Sequence, residues 1–339
     1  MIVVMQQDAS REKIERVKAK VTELGFSPHE INGEERTVVA CVGKGNKNDI
    51  TLVLTLDGVA ELVPISKPFK LASKEVKREK TLIAVRGGEV VIGGKKIVVM
   101  AGPCSVESEE QIVATAKAVK KAGATMLRGG AWKPRSSPYD FQGLAEDGLK
   151  LLDLARKETG LAVITEVMNP RDIEIVERYS DVLQVGARNV QNFAMLRELG
   201  LCKKPVFLKR GLATTIKEWL MSAEYIISSG NPNVILCERG IRTFETSTRN
   251  TLDLNAVPVL EELTHLPIIV DPSHGTGNWK YVRAMARAGI AAGADGLMIE
   301  VHPKPEVAWS DGAQSLMFDK FEETMDEVRR VAEAVGREL

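Results

Sequence analysis

Eight short apolar runs in this chain each stop at, or within a few residues of, a side chain able to hold a metal or an anion. They are IVVMA (97–101) before Cys104, ATMLR ending at Arg128, LAVIT before Glu166 and VLQVG before Arg188. PVFLK ending at Lys209, NVILC before Glu238 and Arg239, PIIVD before His274 and GLMIE ending at Glu300 complete the series. Cys104, His274, Glu300 and, in the loop beyond it, Asp311 offer one thiolate, one imidazole and two carboxylates to a single divalent ion. That mixture of soft and hard donors suits Mn²⁺, Fe²⁺, Co²⁺ or Zn²⁺ better than Ca²⁺ or Mg²⁺. Taken singly, the Cys has a plainer role as a small core residue. Glu300 is harder to dismiss, because a carboxylate that ends an apolar strand is costly unless paired or ligating.

A second set is cationic. Arg128, Lys133, Arg135, Arg188, Lys209, Arg239 and Arg242 all fall at or just after the ends of these runs. Guanidinium forks grip phosphate and carboxylate, and lysine acts as a point charge. So many cations on one rim repel each other unless anions relieve them, which implies a small, multiply anionic substrate. Solvation at the surface is the default for Lys120, Lys121, Lys203 and Lys204. It is a poor account of Lys209, which directly extends the apolar run VFL.

Apolar runs of this length, separated by helical patterns, read as buried parallel strands. Eight of them predict a closed (β/α)8 TIM barrel with its chemistry at the strand ends. The barrel domain is assigned to residues 81–339, with the barrel proper from about residue 97. TLIAVRGGEVVIGG (81–94) reads as a hairpin closing its bottom. Ser108 with Gln111 predicts a capping box, and Asn169-Pro170 a helix start. Residues 1–66 predict a separate ferredoxin-like βαββαβ domain, its second helix at 47–57 able to read as a strand instead. Residues 67–80, charged and without period, read as a linker.

The bulk numbers narrow the function. Lys+Arg and Asp+Glu both total 46, so nothing global attracts nucleic acid or an anionic membrane. Aromatics at 5% do not suffice for a base-stacking platform. The four cysteines show no CxxC spacing, and no apolar stretch approaches the roughly 20 residues that span a bilayer. The expectation is a cytoplasmic protein with no nucleic-acid or membrane partner.

AGPCSVE (101–107), LRGGAWKPRSSPYDFQG (127–143), QVGARNVQN (184–192), LKRG (208–211), ILCERGIRTFE (235–245), VDPSHGTG (270–277) and IEVHPKPEVAWSDGAQSL (299–316) together resemble 3-deoxy-D-arabino-heptulosonate 7-phosphate (DAHP) synthases. The first 66 residues resemble the regulatory domain of the short, type I-beta branch. The resemblance implies condensation of phosphoenolpyruvate with erythrose 4-phosphate and an essential divalent metal, with Mn favoured. It carries the metal ligands onto Cys104, His274, Glu300 and Asp311. It carries the phosphoenolpyruvate phosphate onto Arg188 and Arg239, and the carboxylate onto Arg128 and Lys133, with Lys209 between them. Erythrose 4-phosphate falls on Lys133-Pro134-Arg135-Ser136, where members commonly have Thr in place of Ser136. Lys133, His274 and Cys104 are the residues implied for catalysis. The resemblance further implies an aromatic effector, tyrosine or phenylalanine, and a homo-oligomer, with a tetramer favoured. The alternative is 3-deoxy-manno-octulosonate 8-phosphate synthase, which typically shows Ala-Asn-Arg-Ser where this chain has Lys133-Pro134-Arg135-Ser136. A non-catalytic amino-acid sensor ranks below both, since all the candidate ligands are present.

Overall fold

The computed structural model describes all residues except 34, 35, 44, 47, 48, 65, 66, 135, 136 and 138. The chain divides into two compact units, Met1–Lys80 with Glu262–His265, and Thr81–Glu261 with Leu266–Leu339.

The first unit is an antiparallel sheet of β1 (Ile2–Met5), β2 (Phe26–Asn32), β3 (Thr37–Gly43) and β4 (Val59–Val63), in the order β2-β3-β1-β4. Its helix, Arg11–Glu23, starts where Ser10 Oγ accepts from the Lys13 amide. Ile14, Val17 and Val21 recur three and four residues apart, so one stripe packs with Val3, Met5, Val39 and Cys41. The second helix of the expected pattern is a 3₁₀ stretch, Asp49–Thr55. Ile50 and Val53 are buried while Leu52 and Leu54 are exposed, and a spacing of three is the period of that tighter helix. Residues 67–80 contain no helix or named strand, yet Phe69, Leu71, Ala72 and Val76 are buried.

In the second unit, eight parallel strands close on themselves. They are β7 (Val98–Gly102), β8 (Met126–Arg128), β9 (Ala162–Val167), β10 (Val182–Val185), β11 (Val206–Lys209), β12 (Val234–Glu238), β13 (Ile268–Val270) and β14 (Gly296–Glu300). Closure runs through β14 and β7, in register from Gly296 opposite Val98 to Glu300 opposite Gly102. The near-continuous apolar runs are required because both faces of each strand are covered. Alternate residues, among them Met100, Ile164, Phe207, Ile235 and Met298, fill the interior. A hairpin of β5 (Ile83–Val85) and β6 (Val90–Ile92) adds Ile83, Val85 and Ile92 to the same cluster. Ser108 caps the helix Glu109–Lys121 by accepting from the Gln111 amide at 3.1 Å. Gln111 does not complete the reciprocal box, because its amide serves Glu107 and Ser105 instead. Among the described residues no helix is long and apolar enough to cross a membrane.

His265, in the first unit, makes stability depend on pH. Its Nε2 donates to the Leu71 carbonyl at 2.7 Å. Burial holds the imidazole down to about 4, against the opposing effect of that hydrogen bond. Unfolded, it titrates near 6.5, so between those values the unfolded chain binds the extra proton and stability rises with pH. Lowering the pH from 7 to 4.5 should cost about 2–3 kcal/mol through this residue. Urea unfolding at both pH values checks this, and His265→Gln should remove that part of the slope.

Candidate active site

Strand order fixes who meets whom. β13, β14 and β7 are consecutive, so residues at their carboxyl ends converge. Cys104 lies two residues past β7, Glu300 ends β14, and Asp311 follows in the loop. One ligand atom from each of these three falls within 4.8 Å of the other two. Cys104 Sγ stands 3.2 Å from Asp311 Oδ2 and 3.0 Å from Ser310 Oγ. His274 approaches the same cluster, with Nε2 3.5 Å from Glu300 Oε1. Donors held about 2.0–2.3 Å from a divalent ion in tetrahedral array stand roughly 3.3–3.7 Å from each other. The donor set and its separations therefore fit a metal.

His274 is aimed from below. Asp271 caps the short helix Pro272–Thr276 by accepting from the His274 amide at 3.0 Å. Its other oxygen lies 2.8 Å from His274 Nδ1, although outside hydrogen-bond geometry. A carboxylate this close favours the proton on Nδ1 and leaves the Nε2 lone pair toward Glu300. Burial lowers the imidazole pKa, opposed by the Asp271 charge. Burial pushes the Cys104 thiol up to about 11, and the Glu300 charge adds to this against Lys133. Asp311 goes the other way. Burial would raise it, but Arg249 and His274 outweigh that and bring it to about 2.

Beside the donors is a cleft lined by six cations, Arg128, Lys133, Arg188, Lys209, Arg239 and Arg249, against two carboxylates, Glu166 and Asp311. Four of the cations are anchored. Arg128 Nη1 donates to Glu300 Oε1 at 3.0 Å and to the Pro103 carbonyl at 2.6 Å, while its buried Nε has no acceptor. Lys133 Nζ donates to Cys104 Sγ and to its carbonyl, both at 2.9 Å. Lys209 Nζ donates to Asp271 Oδ2 at 2.8 Å. Arg249 bridges Asp311 and Gln314, whose amide reaches Glu300 Oε2 at 2.7 Å. Arg188 and Arg239 have no carboxylate partner among the described residues. Burial lowers the Arg239 pKa. Glu166, held by Gln184 Nε2 at 3.2 Å, faces Gly186, where any Cβ would collide with its carboxylate.

The structure thus gathers Cys104, Glu300 and Asp311, with His274 at their edge, next to Arg128, Lys133, Pro134, Arg188, Lys209 and Arg239. Arg135 and Ser136 lie outside the described residues. Arg242 is exposed and does not line the cleft. Glu238 is diverted to Arg210 at 2.8 Å and to the Gly240 amide. Sequence reasoning missed Asp271, although it ends an apolar run just as Glu300 does. It also missed Arg249 and Gln314, which lie away from any strand end and carried no local signal.

Residues 72–336 match the model of the DAHP synthetase I family, and residues 1–67 that of the DAHP synthase ferredoxin-like domain. The chain is 47% identical to phospho-2-dehydro-3-deoxyheptonate aldolase of Thermotoga maritima over 99% of both chains. A crystal structure of the Thermotoga maritima enzyme superposes with a TM-score of 0.79 at 46% identity, covering 99% of this chain and 98% of that one. The 2-dehydro-3-deoxyphosphooctonate aldolase of Syntrophotalea carbinolica is 29% identical, over 72% of this chain and 94% of its own.

Asp271→Asn retains the helix cap but removes the charge facing Lys209 and His274. Leaving one member of a buried pair unpaired typically costs 3–5 kcal/mol. Urea denaturation should show a loss of about 3 kcal/mol; an unchanged midpoint would mean that Lys209 does not depend on Asp271.

Proposed function

The chain belongs to the DAHP synthetase I family, and from that membership we propose how its own residues divide the work. It condenses phosphoenolpyruvate with erythrose 4-phosphate and water to give 3-deoxy-D-arabino-heptulosonate 7-phosphate and inorganic phosphate, the first step of the shikimate pathway. The octulosonate enzyme raised by the sequence as an alternative is a more distant match.

We assign the divalent metal to Cys104, His274, Glu300 and Asp311, and a Mn, Fe, Co or Zn ion suits these donors. When bound, such an ion supplies a Lewis acid for the aldehyde of erythrose 4-phosphate. Arg188 and Arg239 take the phosphate of phosphoenolpyruvate, and Arg128 and Lys133 its carboxylate. Lys209 lies between the two groups. The supporting observation is the adjacency of the Cys104 cluster to two guanidinium groups that lack carboxylate partners among the described residues. Pro134 and its neighbours Arg135 and Ser136 are assigned to erythrose 4-phosphate.

Held this way, the methylene of phosphoenolpyruvate attacks the aldehyde carbon, and positioning of this kind is worth roughly 7–11 kcal/mol in favourable cases. Lys133, 2.9 Å from Cys104 Sγ, is the group able to hand a proton to the developing alkoxide, since the Nδ1 proton of His274 is turned toward Asp271. Water adds at the neighbouring carbon, with Glu166 placed to orient it, and the C–O bond to phosphate then breaks.

The first unit fits an effector role. It contains a cleft lined by apolar residues, Ile2, Val4, Ile31 and Val38 among them, and by six charged ones, Arg36, Glu61, Glu75, Lys77, Arg78 and Glu79. A lining of apolar residues and both signs of charge suits an amino acid with an aromatic side chain, tyrosine or phenylalanine. Deleting residues 1–66 should abolish inhibition by either amino acid while condensation persists. Inhibition that survives the deletion would exclude this unit as the sensor.

Two substitutions test the catalytic assignment. Cys104→Ala should lower kcat/KM by at least about 100-fold at saturating Mn²⁺. Arg239→Ala should raise the KM for phosphoenolpyruvate about 10- to 150-fold, the equivalent of ~1.5–3 kcal/mol for a charge-assisted contact. Steady-state kinetics on both variants decides, and near-wild-type constants would overturn the assignment.

A further inference from the structure

Glu107 and His302 lie in the segments that carry Cys104, Glu300 and Asp311 but are given no part in the reaction, and both side chains are almost fully buried. His302 Nδ1 accepts from the Lys304 amide at 3.1 Å, so its Nε2 carries the proton and faces Glu107 Oε2 at 3.3 Å. Glu107 Oε1 accepts from the Trp309 amide at 2.9 Å and from Ser105 Oγ at 3.4 Å. The Glu107 amide is itself held by Gln111 Oε1, and Gln111 Nε2 holds the Ser105 carbonyl. One pair of side chains therefore ties both ends of the 304–309 loop to the segment that follows Cys104. The residues immediately after Trp309 are Ser310 and Asp311, which contact Cys104 Sγ. The Trp309 ring packs edge-on against Phe141 at 4.8 Å, joining the same loop to the segment that follows Lys133.

We infer that Glu107 and His302 are positioning residues that set the separation of Cys104 from Asp311, and so tune metal affinity from outside the ligand set. This rests on the metal-site reading above. Partners that orient ligands from outside the first coordination layer typically cost 10- to 100-fold in affinity when lost. The pair acts here through backbone amides rather than through the ligands themselves. A merely structural role would lower thermal stability and leave the affinity for metal alone.

Co²⁺ is the probe, because a thiolate bound to it absorbs in the near ultraviolet. Metal-free wild type, Glu107→Ala and Glu107→Gln are titrated with Co²⁺ alone, and their metal-free melting temperatures are recorded. Glu107→Ala should bind Co²⁺ about 10- to 100-fold more weakly yet reach the same thiolate band at saturation. Glu107→Gln keeps an acceptor for Trp309 but turns an amide donor toward His302, so it should weaken binding severalfold. Should the alanine variant not fold, the near-isosteric glutamine variant decides. Affinities within twofold of wild type in the folded variants would overturn the inference alone. Absence of the band in wild type, or its persistence in Cys104→Ser, would overturn the metal-site reading on which it rests.

Discussion

Six cationic side chains around one cleft hold together only while other groups carry the compensating charge. At an effective dielectric near 20, two like charges 5 Å apart repel by about 3 kcal/mol. Glu300 and Asp271 answer part of that repulsion, pairing with Arg128 and Lys209. Both carboxylates are fully buried, so neither is tolerable as an isolated ion. The acid and the base of each pair are thus mutually required. Burial alone would raise Asp271, yet His274 and Lys209 hold it well below the usual carboxylate range. Arg188 and Arg239 fall outside this accounting. Neither has a carboxylate within ion-pair distance among the described residues, which makes the cleft a standing request for an anion.

Barrel closure turns a linear series of strand ends into a ring. Cys104 and Glu300 are almost two hundred residues apart, yet β14 pairs directly with β7. The register matters at the level of one residue. A slip would turn Glu300 from one face of its strand to the other and break its pairing with Arg128. The apolar interior resists such a slip, because Met100, Ile164, Phe207 and Met298 must all remain inside at once. Packing below the rim is therefore the physical origin of accuracy at the rim.

Much of this was legible in the residues themselves. Strands buried on both faces show as continuous apolar runs, and the chemistry announces itself by interrupting them. That rule exposed Glu300 and Lys209, and applied evenly it would also have exposed Asp271. It could not expose Arg249, Gln314 or Glu107, whose importance comes from contacts between loops distant in sequence. The short DITLVLT segment was ambiguous because its apolar run reads as a strand, while the burial of Ile50 and Val53, three residues apart, is that of a helical turn. Residues 67–80, read as a linker, differ again. Their charge suggests solvation, but apolar residues among them, Phe69 and Leu71 included, are buried nonetheless.

The four residues proposed as metal donors are not equally secured. Cys104, His274 and Glu300 sit at a strand end or within four residues of one, where barrel packing dictates their place. Asp311 is eleven residues beyond Glu300 and adopts a left-handed backbone conformation, φ 51°, which costs an L-residue roughly 1–2 kcal/mol. Its carbonyl accepts from Ser315 Oγ at 3.2 Å, and Arg249 reaches its side chain. Those local contacts offset the strain but do not tie the loop to the strand bearing Cys104. Beside the direct contacts of Ser310 and Asp311 with Cys104 Sγ, that connection runs through Glu107 and His302, while Trp309 against Phe141 joins the loop to the segment after Lys133. The barrel thus supplies three donors by its architecture alone. The fourth depends on a few hydrogen bonds between loops, and these help bring this loop to its place beside Cys104.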